Sequence, residues 1–136
     1  NVDLNVEDIC LEWPIPPLII QPLVENSVKH GLMGREEGGT VTIDIHCADE
    51  EMCISIKDDG IGMAQEQIEA IYAKKKIDSR EKGIGVRNCI QRLEQIYGPQ
   101  YKMNITSEEG TGTEITFRVP KLRTAVQMRE FSANAS

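Results

Sequence analysis

No apolar stretch in this chain approaches the ~20 residues that cross a bilayer. The longest, Ile15 to Ile20, already contains two prolines. The polar, acidic start has none of the features of a secretory signal peptide. Positive charge is also in short supply: 15 Lys and Arg stand against 22 Asp and Glu, a net charge of −7. That balance argues against a general nucleic-acid surface, which would be basic. The four cysteines form no C-x-x-C pair, and the two histidines lack metal-site spacing, so a structural zinc site is excluded. The expected state is four buried, reduced thiols in a cytosolic chain; the alternative is that Cys47 and Cys53, on neighbouring strands, approach one another. There is no G-x-x-x-x-G-K-[ST] P-loop, no internal repeat and no low-complexity block. What is present is ordinary for a globular domain: 40% hydrophobic and 27% charged residues in 136, enough for one domain with a real core.

Periodicity divides the chain into elements. Val2, Leu4 and Val6 alternate, so residues 2–13 read as an edge strand. Pro14, Pro16 and Pro17 then stop sheet pairing and prepare a helix from about Pro17 to Gly31, with Gly31 as C-cap and Pro22 as a kink or the end of the first turn. Val41, Ile43, Ile45 and Cys47 alternate with polar residues, and Met52, Ile54 and Ile56 alternate back, which predicts a hairpin. His46 falls on its solvated face. Ala64 to Ala73 is a helix with Ile68, Ile71 and Tyr72 on one face, and Lys74 to Lys82 is a charged loop. Val86, Cys89, Ile90, Leu93, Ile96 and Tyr97 have helical spacing, ended by Gly98-Pro99. Tyr101, Met103 and Ile105 predict a strand, and Thr113, Ile115, Phe117 and Val119 the last one. The expectation is a domain over residues 1–120 with a flexible tail over 121–136.

Candidate functional residues lie at the ends of these elements. Around Asn26, a 100° helical projection puts Pro22, Glu25, Asn26, Lys29 and His30 on one stripe and Ile20, Leu23, Val24, Ser27 and Gly31 on the other. Asn and His are mediocre helix formers, so a stripe kept for solubility would use other residues. Asp58-Asp59-Gly60-Ile61-Gly62-Met63 follows a strand, Gly83-Ile84-Gly85-Val86-Arg87-Asn88 opens a helix, and Gly110-Thr111-Gly112-Thr113 enters the last strand. Each G-x-G alone is a common turn. In this order and spacing, the four segments resemble the N, G1 and G2 boxes and closing Gly-Thr of the ATPase superfamily of gyrase, heat-shock chaperones, histidine kinases and MutL. The resemblance covers roughly residues 14–120. Pro16 to Gly31 and Gly-Ile-Gly-Val-Arg-Asn are similar in particular to the LytS/YehU-type sensor histidine kinases.

The resemblance implies the Bergerat fold. This is an α/β (α+β) two-layer sandwich, with a mixed, mostly antiparallel sheet and helices on one face. It implies ATP and Mg²⁺ as ligands. Asn26 would give an oxygen to Mg²⁺, which keeps most of its waters and needs few protein ligands. Lys29 and His30 would face the phosphates. Asp58 would accept the adenine amino group, with Gly60, Gly62 and Met63 around the base and Thr113 reaching base and Asp58 through water. Gly83, Ile84, Gly85 and Val86 would cradle phosphate at a helix N-terminus. Arg87 is open between adding charge there and facing solvent. Ala64 to Lys82 would form a lid. Glu25 is the candidate catalytic residue, orienting the metal shell or taking a proton.

One position separates activities. Hydrolases of the superfamily and anti-sigma serine kinases place a Glu one turn before the N-box Asn, and this chain has Pro22, which cannot act as a base. The implied activity is therefore that of a histidine kinase's catalytic domain. It would pass phosphate to a histidine on an upstream dimerisation domain, and through that domain to a response regulator. The parent would be a homodimer anchored in the membrane, with this domain cytoplasmic and itself monomeric. A stand-alone ATPase, an anti-sigma serine kinase and a degenerate partner-binding domain are the alternatives.

Overall fold

The computed structural model describes residues 2–6, 17–32, 39–48, 50–73 and 83–120. Five strands form one sheet: β1 (Val2–Val6), β2 (Val41–Ala48), β3 (Glu51–Asp58), β4 (Asn104–Glu108) and β5 (Gly112–Pro120), in the order β1-β2-β3-β5-β4. The β1–β2 pair is parallel and the remaining pairs are antiparallel. Three α-helices, α1 (Pro17–Asn26), α2 (Gln65–Tyr72) and α3 (Ile84–Tyr97), accompany the sheet, and a π-helical turn follows α1. The mixed two-layer sandwich expected from the sequence is what forms.

The alternation in β2 and β3 explains the layering. Val41, Ile43 and Ile45 pair with Asp58, Ile56 and Ile54 on the helix-covered face, and all are buried. Ile115, Phe117 and Val119 of β5 extend that face opposite Ile56, Ile54 and Met52. From the helices come Ile19 and Leu23 of α1, Ile68 and Ile71 of α2, and Val86, Cys89, Leu93 and Tyr97 of α3. Each such side chain contributes roughly 1.5–3 kcal/mol when fully removed from water. His46 and Cys53 face each other across the outer side of the hairpin, and His46 is solvated as expected.

Several expectations need correction. Cys47 is disulfide-bonded, while Cys53 and Cys89 are free. Cys47 and Cys53 are on neighbouring strands, but Cys47 pairs with Met52 and Cys53 with His46. They therefore point to opposite faces and cannot bridge each other. The N-terminal helix runs through Pro22 and does not cap at Gly31. After Asn26 it loosens into a π-helical turn, Ser27–Leu32. The strand predicted from Tyr101 begins only at Asn104, opposite Thr116. Tyr101 instead packs edge-on against Tyr97 at 6.1 Å between ring centroids. Tyr72, expected on one helix face with Ile68 and Ile71, is exposed, and its hydroxyl donates to Met103 O (2.6 Å) and accepts from Ile105 N–H (3.1 Å). That pins α2 to the start of edge strand β4. Residues 7–13, 74–82 and 121–136 lie outside the described residues, and with them most of the edge strand, the charged loop and the tail predicted above.

Candidate functional site

Asn26 is the last residue of α1, where the helix gives way to its π turn, a local irregularity that often accompanies function. Its amide is half-buried and turned toward α3. A Cβ on Gly85 would lie 3.3 Å from Asn26 Oδ1. The N-box and G2-box residues therefore meet in space, 59 positions apart in sequence (85 − 26), and the bare glycine lets the amide approach. Gly83, in a left-handed conformation (φ 97°), is the N-cap of α3 and offers no side-chain cap. The first bond of that helix runs from Arg87 N–H to Gly83 O, 2.9 Å. The N–H groups of Ile84, Gly85 and Val86 thus precede any intrahelical acceptor and carry the positive end of the helix dipole. Val86 is fully buried, so only its backbone can serve a ligand.

The second half of the site is a row across three strands. Asp58 of β3 is paired with Thr113 of β5, and Thr113 with Ser107 of β4. Asp58 is a carboxylate only 5% exposed. Its Oδ1 accepts the Gly60 N–H at 2.9 Å. Ser107, not singled out in the sequence, joins the row to the G1 loop: Met63 N–H donates to Ser107 Oγ at 2.8 Å, and Thr113 Oγ1 lies 2.7 Å away. Met63 itself is a core residue. Gly62 has φ 73°, and a Cβ there would fall 2.1 Å from Glu108 O. Its bareness therefore serves the docking of the G1 loop on the β4–β5 turn. Gly110 N–H closes the same junction onto Ile61 O at 2.7 Å. Asp59 holds the backbone in place, its Oδ1 accepting the Thr40 N–H at 2.8 Å.

Other candidates are placed differently. Arg87 neither enters the cradle nor faces solvent. It is buried, and its guanidinium donates to Ile71 O (3.2 Å, from Nε) and to Ala70 O. It thereby satisfies the last carbonyls of α2 with a positive charge at the negative end of the dipole. The lid span expected from Ala64 accordingly begins with an anchored helix, held by Ile68, Ile71, Tyr72 and Arg87. Glu25 is exposed and takes a hydrogen bond from Gln21 Nε2 at 3.3 Å. Lys29 is exposed, and the His30 side chain lies outside the described residues. Among the described residues no cluster of three or more His, Cys, Asp or Glu is arranged for a metal. A metal that binds mainly substrate oxygens and water, as Mg²⁺ does, is compatible with Asn26 alone.

A sheet covered on one face by helices, with a buried Asp at a strand end and an Asn beside a glycine-led helix N-terminus, defines a Bergerat-type ATP-binding fold. The chain belongs to the histidine kinase-, DNA gyrase B- and HSP90-like ATPase family, whose sequence profile matches residues 17–123. Membership makes ATP its nucleotide. The chain is 30% identical over 120 residues to the sensor protein LytS of Staphylococcus epidermidis, covering 88% of this chain and 20% of that protein. It is 31% identical over 121 residues to the LytS of Bacillus subtilis, with the same coverage. It thus spans about a fifth of these curated relatives. Among solved structures, the histidine kinase domain of a blue-light activated kinase from Erythrobacter litoralis superposes with a TM-score of 0.66 at 18% identity, covering 100% of this chain and 56% of that one. The catalytic domain of histidine kinase ThkA gives 0.66 at 18% identity, with 89% and 80% coverage. At such identities these two similarities speak for the fold. No helix among the described residues is long and apolar enough to cross a membrane.

Proposed function

We propose that this domain, residues 1–120, is the ATP-binding catalytic domain of a two-component sensor histidine kinase. It transfers the γ-phosphate of ATP to a histidine on an upstream dimerisation domain, from which a response regulator is served. The observation that carries the reading is the approach of Asn26 Oδ1 to Gly85, 3.3 Å from where a Cβ would stand. It brings a neutral oxygen for a hard cation beside a helix N-terminus suited to phosphate. Asn26 would hold Mg²⁺, which would supply charge neutralisation at the phosphates. The N–H groups of Ile84, Gly85 and Val86 take phosphate oxygens, with Lys29 and His30 adding charge. Asp58 accepts the adenine amino group, between Gly60, Gly62 and Met63, with Thr113 beside it. Glu25 would orient the metal shell or take a proton.

Pro22 supports transfer over hydrolysis. It stands one turn before Asn26 inside α1, where a base would have to activate water, and it has no proton-accepting group. Phosphoryl transfer depends on an in-line nucleophile, so the domain alone is nearly inert. By its resemblance to sensor histidine kinases, the parent is homodimeric and membrane-anchored, with this domain in the cytoplasm. The test is γ-labelled ATP given to the domain alone and then with the dimerisation helix supplied. The expected product is acid-labile, base-stable phosphate on a histidine of that helix. Rapid hydrolysis by the domain alone, or stable phosphoserine on an added protein, would refute the proposal.

A further inference from the structure

The lateral row Ser107–Thr113–Asp58 carries an inference that deepens the nucleotide reading above and rests on it. Ser107 Oγ has three neighbours: Met63 N–H at 2.8 Å, Gly112 O at 3.0 Å and Thr113 Oγ1 at 2.7 Å. A serine hydroxyl has one proton and two lone pairs. An amide N–H can only donate, so Met63 occupies one lone pair. A carbonyl can only accept, so the Ser107 proton goes to Gly112. The remaining 2.7 Å contact is then a hydrogen bond only if Thr113 supplies the proton. Thr113 Oγ1 is left with lone pairs alone for any further partner. Its neighbour across the β3–β5 ladder is the Asp58 carboxylate, which also only accepts.

We propose that Ser107 is a specificity-determining positioning residue, which fixes Thr113 as an acceptor so that the Asp58–Thr113 pair selects purines with an amino group at position 6. The pair presents acceptors side by side. A 6-amino group has two N–H donors to offer it, either directly or through a water that spends both protons on Asp58 and Thr113 and accepts from the base. A 6-oxo purine puts another acceptor there, and a Thr113 proton that could serve it is already committed to Ser107. Buried polar groups left without a partner are what give a site discrimination beyond shape. Ser107 touches no ligand in this scheme; it acts by setting where one proton lies.

The experiment is calorimetric titration of the 136-residue chain with ATP and with inosine triphosphate, for the unaltered protein, Ser107→Ala, Ser107→Thr and Thr113→Val. The unaltered chain should prefer ATP. Ser107→Ala frees the Thr113 proton to turn toward a bound base, and the preference should shrink about tenfold or more, chiefly by improved binding of the 6-oxo nucleotide relative to ATP. Ser107→Thr keeps the hydroxyl and should keep the ratio. Thr113→Val leaves the Ser107 bonds to Met63 and Gly112 in place, and should lose the part of the preference that Thr113 supplies. This variant reads out the idea even where Ser107→Ala folds poorly. An unchanged ratio in Ser107→Ala, with the two nucleotides weakened equally, would show a purely structural role and overturn the inference, as would an unchanged ratio in Thr113→Val. Failure of the unaltered chain to bind either nucleotide would overturn the nucleotide reading, and this inference with it.

Discussion

Replacing Arg87 by Met should destabilise the domain severely for a position outside the hydrophobic core proper. The guanidinium is buried and donates to the carbonyls of Ala70 and Ile71 at the end of α2. Hydrogen bonds involving a charged group are worth about 1.5–3 kcal/mol each, and two made by one side chain do not add fully. Methionine keeps most of the aliphatic stem but offers no donor, leaving two carbonyls without their partner. A loss of about 2–4 kcal/mol follows, a large fraction of the ~5–15 kcal/mol that holds a domain folded. For a chain of this length that is a fall of roughly 10 °C in Tm. Arg87→Lys retains charge without the planar fork and should fall between. Urea denaturation followed by circular dichroism measures it, with exposed Gln95→Met on the same helix as a control expected within about 0.5 kcal/mol of the parent. A change in Arg87→Met as small as the control's would refute the reasoning and return Arg87 to the phosphate site or to solvent.

Alkaline pH should destabilise the domain over two overlapping ranges. Burial pushes the Cys89 thiol up from 9.0 to about 11 and the Tyr97 phenol up from 10.0 to about 12. The fold holds both protons longer than the unfolded chain does, so stability is complete below pH 9 and declines between 9 and 11, then between 10 and 12. Denaturation midpoints across that range should show the decline, and Cys89→Ala should delay its onset by about one pH unit; a flat profile would contradict the burial argument. Asp58→Asn keeps an oxygen for the Gly60 N–H, so the protein should stay folded yet lose most ATP binding, while the parent binds GTP at least ~100-fold more weakly than ATP. Equal ATP and GTP affinities in the parent would remove Asp58 from the adenine site.

Much of this architecture was legible in the chain. The period-2 runs of β2, β3 and β5 and the helical spacing of α3 were readable because each buries one face against a continuous core. The four glycine-bearing segments located the ends of elements where the candidate site lies. What escaped depended on partners distant in sequence. Tyr101 and Met103 continue the alternation of β4, but only from Asn104 does β5 supply a ladder. Arg87 has no readable target until the end of α2 is placed beside it. The π turn after Asn26 has no propensity signal, since Ser27 is a buried polar residue set by packing. Ser107 is an isolated serine before a turn, and its importance comes from three groups that meet only in the folded sheet.

The central claim is that Asn26 and the first turn of α3 form one magnesium–nucleotide site. Its most direct test is calorimetric titration of the parent chain and Asn26→Ala with ATP, once with Mg²⁺ and once with EDTA. Only the metal link is cut by that change, since Asn26 Oδ1 stands beside a glycine with no side chain to support. Asn26→Ala should therefore weaken Mg-ATP strongly, by about tenfold or more, and leave metal-free ATP almost unaffected. Equal weakening with and without the metal would contradict the account and make Asn26 a structural residue of the α1–α3 contact.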